Sequence, residues 1–531
     1  MAKALKNRAS KKEYISPMNL VLPGFETTFE NQLDPENRWV IMANQIPWDI
    51  MVSKYQRHLN NQDTGADGIN PRVAIGSMII KHICDLSDRE TVQQIRENIY
   101  MQYFIGYSSF STEIPFDPSL FVDFRKRLTL EDINKINEEI VKKYYGLCKE
   151  VAVINSQQEW KEDQEDNNSE KMIQPTLETK EPITHQGKLI MDATACPQDI
   201  AYPTDLNLLN DSREKSELII DTLQLLRSDK VKPRTYREKA RKEYLKIAQK
   251  KTKTKREIRK GIRQQLQYLK RNISHIHNIL NEFKTIPLDY KLYKYLLVIQ
   301  TLYDQQKSMY DAQIHSIPQR IVSIHQPHVR PIVRGKTNAP VEFGSKIQVS
   351  MMDGFAFLDE LSWEAFNEGT KLQQSVESYK ERFGYYPEEV LADKIYCTRE
   401  NRAWLKKEGI ELRAKPLGRP SIKPSIVLSP GERNPIEGKF GQAKTAYGMN
   451  RIKARLDITS KSWISTIILV LNLVKLAGQV SFFIADLLNA ISRILNRIRK
   501  EVYKSKMKFI IDPGFTNLSA DLLKLNLNSR P

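Results

Sequence analysis

The run Gly187-Lys-Leu-Ile-Met-Asp-Ala-Thr194 sets an aspartate inside an apolar stretch bounded by Gly187 and Pro197. A short apolar run between such breakers reads as a buried strand, and Asp192 falls near its end. A carboxylate there is costly to bury unless it is protonated, paired or bound to a cation. The pattern returns in Glu389-Val-Leu-Ala-Asp393, another short apolar strand ending in aspartate. Two strand-end aspartates can converge although they stand far apart in sequence.

Further strand signals lie between and after them. Pro331-Ile-Val-Arg-Gly335 and Lys346-Ile-Gln-Val-Ser-Met-Met352 are followed by Asp353-Gly354, a hairpin turn into Phe355-Ala-Phe-Leu358. The turn gives Asp353 a structural role. Helices are expected over 369–383 and, with Thr398 as cap, over 398–408, and a last short strand over 410–414. From Ser212 to about Met309 the pattern is almost purely helical, and Lys230 to Arg271 is densely basic with Tyr236, Tyr244 and Tyr268 interleaved. Two long helices in a hairpin account for that stretch. Its cations could clamp phosphates along a duplex or form a solvated face.

After the last strand comes Ser429-Pro-Gly-Glu-Arg-Asn-Pro-Ile-Glu-Gly-Lys-Phe-Gly-Gln-Ala-Lys444, a basic segment with one well-placed carboxylate, Glu437. Asn434 followed by Pro435 signals a helix start, which puts Glu437 in the first turn. Lys444, close to two turns on, projects from the same face. An acid and a cation so placed suit a metal-bound phosphate. Asn434 to Glu437 is also the spacing of a capping box, in which the glutamate bonds back to the cap amide. Gly438 and Gly441 each cost a helix about 1 kcal/mol relative to Ala. They make sense where another backbone or a DNA strand comes close.

The chain has 531 residues, enough for several domains. A formal charge of +18 favours a polyanionic partner. Cys84, Cys148, Cys196 and Cys397 stand far apart, indicating neither a zinc site nor a disulfide framework and fitting a reducing cytosol. The basic N-terminus lacks the apolar core of a secretory signal. The apolar run over 463–484 is interrupted by Asn472, Lys475 and Gln479, which favours a buried helix over a membrane span. The expectation is a soluble protein.

The first 154 residues read as helices. Pro71 starts one that carries Val73, Ile75, Met78, Ile79 and Ile83 on an apolar face, and Asp117-Pro118 starts another that runs into Arg125, Lys126 and Arg127. Short helices with basic edges could contact DNA in the manner of a helix-turn-helix, or form a bundle with a charged surface. Residues 155–186 are polar and acidic, almost without aliphatic side chains, and read as a linker.

Leu189-Ile-Met-Asp-Ala-Thr194, Val390-Leu-Ala-Asp-Lys-Ile-Tyr396 and Gly431-Glu-Arg-Asn-Pro-Ile-Glu-Gly-Lys-Phe-Gly-Gln-Ala-Lys444 together resemble the catalytic core of bacterial insertion-sequence DDE transposases, specifically the insertion-sequence-five group, with an RNase H-like fold. The third motif is the most specific. In that group a tyrosine, arginine, glutamate and lysine recur at fixed spacing; Arg433, Glu437 and Lys444 match, while Pro430 stands in the tyrosine's place. The resemblance extends to Phe116-Asp-Pro-Ser-Leu-Phe-Val-Asp-Phe-Arg-Lys-Arg-Leu128 and so covers most of the chain.

What the resemblance implies is an α+β multidomain protein. It would have a helical DNA-binding domain over 1–154, a linker over 155–186, and an RNase H-like core over 187–211 and 330–480. A basic helical insert would occupy 212–329, and a helix and tail 481–531. Asp192, Asp393 and Glu437 would be catalytic and bind divalent metal, Mg2+ with Mn2+ as substitute, two ions serving in-line displacement at phosphorus. Arg433 and Lys444 would contact DNA phosphates, joined by Lys439 and by Arg125, Lys126 and Arg127. The implied reaction is cleavage at transposon ends followed by strand transfer into target DNA, by a homodimer holding terminal inverted repeats in the bacterial cytoplasm. A related nuclease that cuts without joining and a non-catalytic architectural DNA-binding protein are the alternatives.

Overall fold

The computed structural model describes residues 33–59, 68–162, 184–227, 231–333, 341–415 and 431–478. The basic N-terminus, most of the linker, Gly335, Cys148's side chain, Pro430 and the tail beyond 478 lie outside them. The chain divides into two units, Met1–Leu473 and Val474–Pro531. Apart from the end of the last helix, the described elements belong to the first unit.

Helices come first: α1 (Arg38–Gln45), α2 (Trp48–Gln56), α3 (Pro71–Ile83), α4 (Asp88–Glu97), α5 (Ile99–Phe104), α6 (Phe121–Arg127) and the long α7 (Leu130–Glu162). Local chemistry fixes their starts. Asn37, Asn70, Ser87 and Asn98 each accept a hydrogen bond from a first-turn amide, and Pro71 occupies the first position of α3. Asp117 caps a short 3-10 turn that leads into α6. α7 continues through Glu162, into the stretch expected as linker.

The sheet follows. β1 (Lys188–Pro197) is separated from β2 (Arg330–Val333) by α8 (Asp205–Leu225), α9 (Arg237–Ala248), α10 (Lys255–Leu280) and α11 (Tyr290–Ala312). The basic stretch falls on α9 and α10, the two helices expected for it, and they are half of a four-helix unit. α8, α10 and α11 share one core through residues such as Leu209, Ile220, Leu269, Ile276, Ile299 and Leu302, and α9 lays Ala240 and Ile247 against α10. Then come β3 (Val341–Met352), β4 (Phe355–Ser362), α12 (Leu372–Phe383), β5 (Glu389–Leu391), α13 (Arg399–Lys407), β6 (Glu411–Arg413), α14 (Asn434–Ala446) and α15 (Asp457–Gly478).

β1 sits at the centre of the sheet. β3 pairs antiparallel with it from Ile190↔Met351 to Pro197↔Gly344. β5 pairs parallel with its other edge over Lys188–Ile190, and β6 continues parallel beyond β5. β2 and β4 share the far edge of β3. A central first strand with antiparallel neighbours on one side and parallel ones on the other is the RNase H-like arrangement that the resemblance implied, within an α+β protein. Asp353 and Gly354, both at positive φ, make the tight β3–β4 turn as expected.

Three asparagines tie the helices to the sheet. Asn134 and Asn137 of α7 donate to the Leu358 and Ala356 carbonyls of β4, and Asn472 of α15 donates to Ala356 O and Asn137 while accepting from Ala356 N. The open edge of β4 is thereby satisfied and covered. α15 is the one helix among the described residues long and apolar enough to cross a membrane. Trp463, Ile464, Ile467, Ile468 and Leu471 are nevertheless buried in the protein, as a core helix requires.

The four-helix unit leaves and re-enters the sheet at one level. Pro197, just before it, and Arg330, just after it, both face Gly344 of β3, from opposite sides. Gly344 is required there: a Cβ would stand 2.0 Å from the Cys196 carbonyl oxygen.

Candidate active site

β1 and β5 run side by side for three residues and then part. Asp192 lies two residues past the last β1 position paired with β5, and Asp393 lies two residues past the end of β5. Both therefore stand in the crevice at the carboxyl ends of parallel strands, where open α/β sheets bind their ligands. Asp192 is mid-strand, since pairing with β3 carries β1 on to Pro197 where a strand ending near Thr194 was expected. Each aspartate accepts a hydrogen bond from the next backbone amide, at 2.8 Å from Ala193 and 2.7 Å from Lys394.

Arg433 joins them. One guanidinium nitrogen lies 3.1 Å from Asp192 Oδ2 and the other 3.4 Å from Asp393 Oδ1. Arg413 of β6 fixes the approach, reaching Glu389, Glu411 and, at 3.4 Å, Glu432 beside Arg433. Burial pushes the Asp192 carboxyl up to about 6; the Ala193 amide and Arg433 pull against that, and Glu368 and Asp393 add to it. Glu368, held 2.8 Å from Lys346, was not singled out in the sequence, where it sits in a polar stretch without pattern.

Glu437 is in the first turn of α14, as expected, and exposed. Its capping-box role is not realised: the helix begins at Asn434 itself, Arg433 is the cap residue, and no side chain caps it. Thr254 and Glu257 at the start of α10 do form such a box. Ile436 and Ala443 bury the inner side of α14, while Gly438 and Gly441 face open space with no atom within 4 Å of where a Cβ would stand. Packing among the described residues requires neither glycine. Lys444 lies on the Glu437 side, half-buried, and burial lowers the pKa of half-buried Lys439.

The basic trio of α6 is not a DNA-facing edge as a whole. Arg125 is 4% exposed, ion-paired with Asp88, and sandwiched over the rings of Phe121 and Trp463. That burial corrects its expected role as a DNA contact. Lys126 pairs with Asp123 at 3.1 Å, and Arg127 donates to the Tyr55 hydroxyl at 3.3 Å.

Among the described residues no three His, Cys, Asp or Glu side chains are grouped closely enough to hold a metal ion. The two aspartates nonetheless fit one. Hard divalent cations take carboxylate oxygens, and Asp192 and Asp393 already share a single positive group.

Two families match the chain. One described as a transposase domain matches residues 27–127, and one described as a transposase DDE domain matches residues 390–474, which include Asp393, Arg433, Glu437 and Lys444. Both matched stretches are similar to transposase domains, the second of the DDE type, and together they support a DDE transposase. DDE transposase domains generally use divalent metals. The chain is also similar to the uncharacterized protein ORF8 in the nfe locus of Rhizobium meliloti, at 32% identity over 126 residues, covering 22% of this chain and 58% of that protein. No solved structure matches the chain.

Proposed function

We propose that the protein is a DNA transposase of bacterial insertion-sequence type, cutting at the element's ends and joining the freed 3′ hydroxyl to target DNA. The observation that carries this reading is Arg433 held between Asp192 and Asp393, where β1 and β5 part, in a chain matched by the DDE domain. Asp192, Asp393 and Glu437 are the metal-binding residues on this reading, with Mg2+, or Mn2+ in its place, and two ions. Such ions activate the attacking oxygen and stabilise the leaving one during in-line displacement.

The protein's own residues position and neutralise. Asp192 and Asp393 are fixed by the sheet and by their neighbouring amides. Glu437, on an exposed helical turn, is free to approach them. Arg433 balances the aspartates in the absence of DNA and is placed to turn to a phosphate, for which a guanidinium fork is suited. Lys444 and Lys439 extend that grip. Gly438 and Gly441 leave the outer side of α14 bare, which suits close approach by a DNA backbone. The insertion-sequence-five group, the domain boundaries, the terminal inverted repeats, a homodimer across two ends and a bacterial cytoplasmic site of action belong to the same proposal.

The test is cleavage and strand transfer on DNA carrying the element's own ends, with Mg2+ or Mn2+. Asp192→Asn and Glu437→Gln should each lower both reactions by at least 10²-fold, the scale on which loss of one transition-state contact acts, while binding to the same DNA persists. Cleavage without joining by the wild type would make it a nuclease, and full activity of both variants would overturn the site.

A further inference from the structure

The four-helix unit between β1 and β2 carries a surface that the catalytic crevice does not use. α9 and α10 run antiparallel: the Gln265 side chain donates to the Ala240 carbonyl, and Arg271 lies over the Tyr236 ring. Their inner faces are closed by Ala240, Ile247, Gly261, Leu266 and Leu269. On the outer face of α10, Arg256, Lys260, Arg263, Gln267 and Lys270 follow one another at spacings of four, three, four and three, which keeps them on one side of a helix. All are exposed. Lys239, Lys242 and Lys246 make a second exposed row on α9.

These cations are not balanced locally. None of them has an ion pair among the described residues, although nearby Lys232, Arg237 and Lys250 do. Of the three acids on the two helices, Glu257 caps α10 and pairs with Lys250 and Glu243 accepts from the Tyr268 hydroxyl, which leaves Glu238 alone against the exposed lysines and arginines of the two rows. A surface serving solubility alone mixes both signs. Here one sign is set in rows.

We propose that the outer face of α9 and α10 binds the phosphate backbone of duplex DNA without reading its sequence. This deepens the transposase reading and rests on DNA being the partner. The α10 row runs from Arg256 to Lys270, roughly 21 Å of helix, and a duplex of that length carries roughly a dozen phosphates. Lysine and arginine rows with a single amide among them offer charge and few groups for base edges, which is the composition of a positioning contact.

The test uses the full chain and a fluorescent random-sequence duplex, with affinity measured across a series of salt concentrations. A variant combining Arg256→Gln, Lys260→Gln, Arg263→Gln and Lys270→Gln changes exposed positions to a residue of similar helix propensity, and unchanged circular dichroism confirms its fold. Each lost phosphate contact lowers the slope of log affinity against log salt by about 0.9. The expected result is a slope reduced by about 3 to 4 and affinity down by at least tenfold. Lys291→Gln with Lys294→Gln on α11 should leave the slope unchanged. An unaltered slope in the fourfold variant, with the wild type binding DNA, overturns the inference alone. A wild type that binds no duplex overturns the transposase reading as well, and preferential capture by anionic vesicles would replace DNA with a lipid surface.

Discussion

Gly441 stands on the exposed side of α14, between Glu437 and Lys444, with no described residue outside its own helix turn within 4 Å of where a Cβ would stand. Ala in its place should raise stability by about 0.5 to 1 kcal/mol and yet lower DNA cleavage, because the added methyl meets the approaching strand. Denaturant unfolding beside a cleavage assay checks both. A variant both more stable and fully active would show that the bare surface has no partner. At this scale the sequence was informative where a residue's surroundings are local. Asp192 and Asp393 announced themselves as charges in apolar runs, and Glu437 by its place after Asn434-Pro435. Arg433 as their shared counter-ion was not legible, since only the folded sheet brings residues 192, 393 and 433 together. Glu368 was invisible for the same reason.

Among the elements, α3, α6 and α15 meet in a charged seam. Lys81 is 2% exposed, lies 3.3 Å from Asp88, and sits over the Trp463 ring beside Arg125. Burial lowers its pKa to about 8; Asp88 opposes that, and Arg125 and Lys453 reinforce it. An unfolded lysine titrates near 10.5. Between these values the unfolded chain binds more protons, so stability rises with pH across that window and the cost of burial is fully felt below pH 8. At about 1.4 kcal/mol per unit, that cost is roughly 3 kcal/mol. Lys81→Met does not titrate, so its stability relative to wild type should fall between pH 8 and 10. A difference constant over that range would mean that burial in the seam does not lower the Lys81 pKa. The seam also shows why Arg125-Lys126-Arg127 misled. Helical spacing places charges around an axis, but the partners that draw Arg125 inward are 37 residues earlier, at Asp88, and on a helix near the far end of the described chain. Caps and turns at Asn70, Thr398 and Asp353-Gly354 needed no such partner and followed the sequence closely.

For the molecule as a whole, the decisive arrangement is that the four-helix unit departs and returns on either side of Gly344. Strands lie about 4.8 Å apart, so the two ends of the unit, two strand spacings apart, are separated by roughly 10 Å. Replacing residues 204–327 with a short Gly-Ser linker should remove much of the helical circular dichroism and leave a cooperative unfolding transition for the remainder. Loss of cooperativity would mean the sheet depends on the unit. The change from strand to helix period on either side of the unit is strong in the sequence. The turn at 249–254 is polar throughout and blends into its basic surroundings, whereas Pro287, between Ile286 and Leu288, marks the one at 281–289.

Arg433 reaches both aspartates from the far end of the sheet's sequence. During synthesis, Asp192 emerges early and its counter-ion only after β6 and the turn that follows. A chain cut short before that turn would have a carboxylate in the middle of its central strand with no cation to meet it, and such a fragment has reason to stay unfolded.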